Sequence, residues 1–308
     1  MDYIVIIKNK ALKKLLEGHL EEKYIEYILE NDLINDELKA YFIDLLTVKD
    51  LSKRFQLWSE LKIKLVDIKQ IKQLANPYYI GFGNPDSDIL FIGKEKAFDI
   101  MHSPELLFHE SINNILQWKV ISKNESKSTD SLMHVEKDDN ALIFNPKAPQ
   151  LYHSGKITGR STWGMYREIV SQIKLLQKHI VSKDYDNNFF NDCFMTELNF
   201  KPSNYSEGHG LNNNRREFLK NPFFKSFRYV IVGANAIIGE EALIEIFDCD
   251  STFTKINLEE NRVGKKSKSI SILTSNSQKV ILCNQLSGAA GWTTLAIKDL
   301  VKKIIEEK

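Results

Sequence analysis

The chain has 308 residues, of which 43% are hydrophobic and 27% charged, and its formal net charge is +1. That length supports one large α/β core with an appendage, or two modest domains. The near-neutral balance excludes a polycation that grips nucleic acid through its overall field, so any such contact must be a local patch. Cys193, Cys249 and Cys283 form no CxxC pair. Their odd number argues against a disulfide framework, and no Cys/His cluster has metal-ligand spacing, so neither a metal nor another cofactor is expected. The apolar run Met1–Lys8 lacks a cleavage pattern and is too short to span a bilayer, which leads us to expect a cytoplasmic protein with no membrane partner.

Residues 10–75 contain a single glycine, Gly18, and no proline. Leu12, Leu15, Leu16 and Leu20, then Tyr24, Ile25, Ile28 and Leu29, recur at helical spacing. Thr47 with Asp50 resembles a capping-box variant ahead of a helix containing Leu51, Phe55, Trp58 and Leu61. Residues 1–76 are therefore predicted to be a helical N-terminal extension packed against the main domain. Glutamates interleaved with its lysines weigh against direct DNA contact.

After Asn76-Pro77 the texture changes. Asp88–Gly93, Asn191–Glu197, Arg228–Gly233 and Lys279–Cys283 are short β-rich runs, and Ile270–Leu273 is a weaker fifth. Amphipathic stretches at Thr162–His179, Ala236–Phe247 and Thr293–Glu307 lie between or after them. Strands alternating with helices predict a three-layer α/β/α domain over residues 77–308 with a mostly parallel central sheet. Ligands in such sheets gather at the carboxyl ends of the strands. Lys123–Asn140 is polar and aperiodic and reads as an exposed insertion. Lys265, Lys266 and Lys268 form one basic stretch, and Arg215, Arg216, Lys220, Lys225 and Arg228 another.

The segment Gly81-Phe-Gly-Asn-Pro-Asp-Ser-Asp-Ile-Leu-Phe-Ile-Gly93 resembles the opening of the uracil-DNA glycosylase superfamily, in which a GxGNPxxD turn feeds the first core strand. In that family the following loop holds a catalytic carboxylate that positions water and stabilises positive charge developing on the sugar. The resemblance assigns this role to Glu95, with Asp99 as the alternative; Lys96 and Ala97 replace the family's residues after it. Phe108 falls near the position of the aromatic that stacks on a flipped base, and a core phenylalanine is the competing reading. Trp163 and Tyr166, three residues apart, share a helix face and are expected to pack.

The run Phe194-Met-Thr-Glu-Leu-Asn-Phe-Lys-Pro202 resembles the family's base-reading strand, with Glu197 where an asparagine would contact uracil. A carboxylate only accepts hydrogen bonds, so it suits an exocyclic amine such as that of cytosine and repels uracil O4. The alternative is a register in which Asn199, two residues on and on the same strand face, does the reading. After Lys279–Cys283, Gln285 stands at the family's histidine position, where it would hydrogen-bond the leaving base. Leu286 stands where a minor-groove wedge begins, and Ser287 and Gly288 suit close approach to phosphate. Lys265, Lys266 and Arg215 are further candidate DNA contacts.

The resemblance thus implies a monofunctional DNA glycosylase, an N-glycosidic hydrolase, monomeric, acting on a nucleotide flipped out of DNA. Its substrate would be a modified base, for example a hypermodified cytosine of phage DNA in antiphage defence. The alternatives are a conventional uracil-DNA glycosylase of base-excision repair and a non-catalytic DNA-binding module on the same fold.

Overall fold

The computed structural model describes residues 8–96, 98–123, 161–177, 189–202, 211–258, 268–275, 278–287 and 290–306. It is a mixed α/β structure with a seven-stranded, mostly parallel sheet. Its residues divide into two compact units that interleave along the chain. One takes the described residues of Met1–Gly81, Glu95–His153 and Asn199–Phe218; the other takes those of Phe82–Lys94, Ser154–Leu198 and Leu219–Lys308. No described helix is long and apolar enough to cross a membrane.

The first unit is helical. It opens with α1 (Lys10–Glu17), α2 (Leu20–Leu29), α3 (Asp36–Thr47), α4 (Leu51–Leu61) and α5 (Ile68–Gln73). Asn9, Asn35, Asp50 and Asp67 each accept a backbone N–H from the first turn of α1, α3, α4 and α5. These side-chain acceptors fix where the helices start. Asp50 alone caps α4; Thr47 instead ends α3, where its hydroxyl donates to the Asp44 carbonyl at 2.8 Å. The unit continues with α6 (Pro104–Leu107), a π-helical turn over Phe108–Ile112, α7 (Asn114–Lys123) and, further along, α9 (Asn213–Leu219). Tyr24, Phe42, Trp58, Leu74, Tyr79, Phe108 and Phe200 belong to one buried cluster.

The sheet lies in the second unit, apart from its two residues Glu95 and Asn199. Strand order is β1-β3-β2-β4-β7-β6-β5. The strands are β1 (Phe82–Gly83), β2 (Ile89–Glu95), β3 (Phe194–Asn199), β4 (Tyr229–Val232), β5 (Phe253–Asn257), β6 (Ser269–Thr274) and β7 (Lys279–Leu282). β4 pairs in parallel with β2 and with β7, Ile231 facing Phe91 on one side and Ile281 on the other. β6 is antiparallel to β7, and β5 to β6, so β2, β4, β7 and β5 point one way. The three central strands are uninterrupted apolar runs over Ile89–Ile92, Tyr229–Val232 and Val280–Leu282, all buried. Strands covered on both faces are read that way. Phe91 stacks on Tyr166 of α8 (Thr162–Leu176) at 4.1 Å and 9°. α8 packs against α11 (Thr294–Glu306), and α10 (Glu240–Phe247) against β6 and β7. The short edge strands β1 and β5 have no counterpart among the predicted runs; β5 is mostly exposed and polar, with no alternation to reveal it.

Candidate functional site

The Gly81–Gly93 segment builds its turn through Asn84. The Asn84 amide donates to the Asn191 carbonyl at 2.7 Å, and its backbone N–H reaches the Phe190 and Cys193 carbonyls at 3.0 and 2.8 Å. The Asn84 side-chain oxygen accepts from Asp86 N–H at 2.9 Å. Gly83 has φ +98°, and a Cβ there would collide with the Cys193 backbone, so only glycine fits. The turn therefore ties the entry to β2 onto the chain just before β3.

Strand order reverses at β2: the next strand in sequence, β3, lies on one side of it and β4 on the other. Such a switch point is where an open α/β sheet leaves a crevice beyond its carboxyl ends. Two glycines stand there, Gly93 on β2 and Gly233 just after β4, and the Gly233 N–H donates to the Ile92 carbonyl at 2.9 Å. The Glu197 carboxylate lies directly on Gly93: a Cβ at 93 would come within 2.8 Å of the carboxyl carbon and 3.0 Å of Oε1. Leu286 lies on Gly233, 3.4 Å from a Cβ built there to its Cγ, and is only 1% exposed. Leu286 is thus packed onto the end of β4, which corrects its expected place as an exposed wedge. Gln285 is exposed, and its carbonyl accepts the indole N–H of Trp292 at 3.0 Å. Ser287 Oγ accepts from Ala290 N–H at 3.3 Å and so shapes the turn toward α11.

In the helical unit, Glu95 and Asn199 are joined. These last residues of β2 and β3 lie 104 apart in sequence, and the Asn199 amide donates to the Glu95 carboxylate at 3.4 Å. Asn199 is 5% exposed and Glu95 half-buried. Asp99 serves its own turn: its carboxylate accepts from Met101 and His102 N–H and pairs with the His102 ring at 2.8 Å. The His102 hydrogen bond holds the Asp99 carboxyl below the usual carboxylate range.

Two sequence candidates are committed to packing. Phe108 is fully buried, stacked on Trp58 at 5.2 Å and 19° and edge-on to Phe55. The competing reading of Phe108 as a core residue describes its place here. Arg215 is also fully buried. Its guanidinium donates to the Pro77 and Tyr79 carbonyls at 3.2 and 2.7 Å and lies 4.2 Å from the Tyr79 ring centre. This corrects its assignment as a phosphate contact: the charge binds the chain to itself. Trp163 and Tyr166 pack on Phe190 and Phe91, as their spacing predicts.

The helical unit also holds buried polar groups that sequence patterns did not single out. Glu21 and Arg54 pair at 2.8 Å, 3% and 1% exposed, and Lys49 and Lys119 reach the same carboxylate at 3.1 and 3.0 Å. Arg54 further donates to the Val48 and Leu46 carbonyls and to Asn113. Burial pushes the Glu21 carboxyl up, but the charges and hydrogen bonds of Arg54 and Lys119 outweigh it and hold the group at about 2. Lys96, 5% exposed, donates to the Glu110 carbonyl and lies over the Tyr79 ring at 4.1 Å. Asn114 bridges the Ile80 N–H and the Gly81 carbonyl. His109 is buried in the π-helical turn and stacked on Phe55, and burial pushes its imidazole down to about 3. π turns inside helices often mark functional positions. The only sequence hint was the density of polar residues in the segment His109–Gln117.

Lys265, Lys266, Gly288, Ala97 and residues 124–140 of the expected insertion lie outside the described residues. Among those described, no group of three His, Cys, Asp or Glu side chains is arranged to hold a metal ion. The three thiols are buried, and burial pushes Cys283 to about 12, far from a reactive thiolate. Comparison with protein-family models, with curated proteins and with solved structures gave no match.

Proposed function

We propose that this chain is a DNA glycosylase, a divergent relative of the uracil-DNA glycosylases with a three-layer α/β/α core, that excises an amino-bearing modified base such as a hypermodified cytosine. It would act as a cytoplasmic monomer, and an antiphage role would follow from that substrate. The observation that supports this reading most is the Glu197 carboxylate seated on Gly93 at the switch point of the sheet. A carboxylate there accepts a hydrogen bond from an exocyclic amine and disfavours a carbonyl in the same place. In the helical unit, the Glu95 carboxylate is held by Asn199. In the reaction, water oxygen bonds to the sugar C1′ as the N-glycosidic bond breaks and the base leaves with the bonding electrons. Glu95 orients that water and takes its proton; the exposed Gln285 amide donates to the departing base.

A second reading, a DNA-binding module without chemistry, draws on the burial of Leu286 and Phe108, which leaves the wedge and the stacking ring packed away. Oligonucleotides carrying uracil, 5-hydroxymethylcytosine or its glucosylated form separate the readings when scored for abasic sites. We expect release of a cytosine derivative, reduced about 10²–10⁴-fold by Glu95→Gln, the usual worth of a general base. Release of uracil alone would overturn the substrate assignment. Binding without abasic sites on any duplex would favour the module.

A further inference from the structure

The last residues of β2 and β3 are joined by the Asn199 amide on the Glu95 carboxylate. Two residues beyond Asn199, past the carboxyl end of β3, stands Lys201, half-buried in the helical unit. Ligands gather at that end of an α/β sheet. Lys201 Nζ donates to the Gln73 side-chain oxygen at 2.5 Å and lies 5.5 Å from the Phe200 ring centre. Lys49, Lys62 and Lys119 of the same unit each pair with a carboxylate. Lys201, among the described residues, pairs with none. Its surroundings are a neutral amide, an aromatic ring and a second cation, Lys72. Burial, and then the Lys72 charge, pushes its ammonium below the usual lysine range. A phosphate contact calls for a charged, exposed ammonium, whereas this setting favours the free amine, the form of lysine that attacks carbonyls.

We propose that Lys201 is an imine-forming nucleophile that attacks the C1′ aldehyde of an abasic deoxyribose and cuts the strand there. The proposal rests on the glycosylase reading for its substrate, an abasic site being that reaction's product, and extends the expected monofunctional enzyme to a lyase. The unprotonated Nζ bonds to C1′ of the ring-opened sugar, and the C1′ oxygen leaves as water. The resulting protonated imine acidifies C2′. A C2′ proton passes to water, its bonding electrons form the C2′–C3′ double bond, and the C3′–O bond breaks with its electrons leaving on the phosphate. Water then cleaves the imine, which restores the amine and leaves an unsaturated aldehyde on the cut strand. No oxidant or reductant is needed.

The test is incubation of the full chain with a labelled duplex carrying one pre-formed abasic site, with and without sodium borohydride. Borohydride reduces the imine to a stable amine, so wild type should be captured on the DNA. Peptide mapping should place the link on Lys201. Without borohydride the strand should be cut 3′ to the abasic sugar. Lys201→Arg keeps the positive charge and should bind the duplex as wild type does, yet lose both adduct and cut. An adduct on Lys72, on any other lysine or on the N-terminal amine would overturn the proposal. So would a Lys201→Arg protein trapped as well as wild type, and so would wild-type binding without an adduct. The mapping uses wild type alone, so it decides even where the substitution unfolds the chain. Because the abasic site is supplied, the two readings fail separately. A chain that releases a base but is never trapped loses only the lyase; one that is trapped but releases no base from any duplex loses only the glycosylase.

Discussion

The two units are held together by different chemistry. The sheet unit is filled by Ile, Val, Leu and Phe from β2, β4 and β7, contacts that are non-directional and scale with the apolar area removed from water. The helical unit buries an ion pair, Glu21 with Arg54, a stacked neutral histidine, a lysine over a tyrosine, and an arginine spent on two carbonyls. Each of those groups is costly alone and acceptable only with its partner present. One half is thus defined by how much it buries, the other by which groups find each other.

The sharpest way to break this comparison is Arg54→Met, which leaves Glu21 buried with only the lysines. We expect a loss of about 3 kcal/mol in denaturant unfolding, the low end of the cost of breaking a buried pair, because the two lysines remain on the carboxylate. A loss under 1 kcal/mol would show that the network contributes little. The pair also sets acid sensitivity. Glu21 titrates near 2 when folded and near 4.5 when unfolded, so its contribution is complete above about 4.5 and disappears as pH falls through about 2.

Gly93→Ala drives a methyl into the Glu197 carboxylate and should cost about 1–3 kcal/mol, the usual cost of overpacking. Adding Glu197→Ala should recover most of that loss in a double-mutant cycle; additive losses would show that the carboxylate is not what crowds position 93.

His109→Phe probes a pH effect of definite sign. The unfolded imidazole takes a proton below 6.5 and the buried one only near 3, so wild-type stability falls as pH drops through that window. From pH 6.5 to 5 this amounts to about 2 kcal/mol at 1.36 kcal/mol per unit. Equilibrium unfolding of the variant should lack that decline, and an unchanged decline would assign acid lability elsewhere. The smallest effect belongs to the sheet: Ile231→Val should cost about 0.5–1.5 kcal/mol and change nothing in the pH profile.

The same division governed what was legible in the sequence. Buried parallel strands announce themselves as apolar runs, so β2, β4 and β7 were read to within a residue or two. The predicted helices after residue 161 were also visible, although α10 starts at Glu240 and not at Ala236. The chain's two compact units were not, because 95–123 and 199–218 join the N-terminal helices through contacts such as Arg54–Asn113 and Arg215–Tyr79, which no local pattern encodes. Of the candidate site, residue types and strand ends were legible, and Glu95 with Asn199 does come together. Exposure was not: Leu286, Phe108 and Arg215 are as suited to a core as to a DNA surface, and only the fold decides.

The seating of Glu197 on Gly93 also makes the order of change at these two positions matter. While the carboxylate is there, a side chain at 93 has to push it aside; once Glu197 has shrunk, position 93 opens to alanine or serine. Libraries that vary 93 alone should be enriched in glycine. A lineage that filled position 93 would then disfavour glutamate at 197 until 93 returned to glycine.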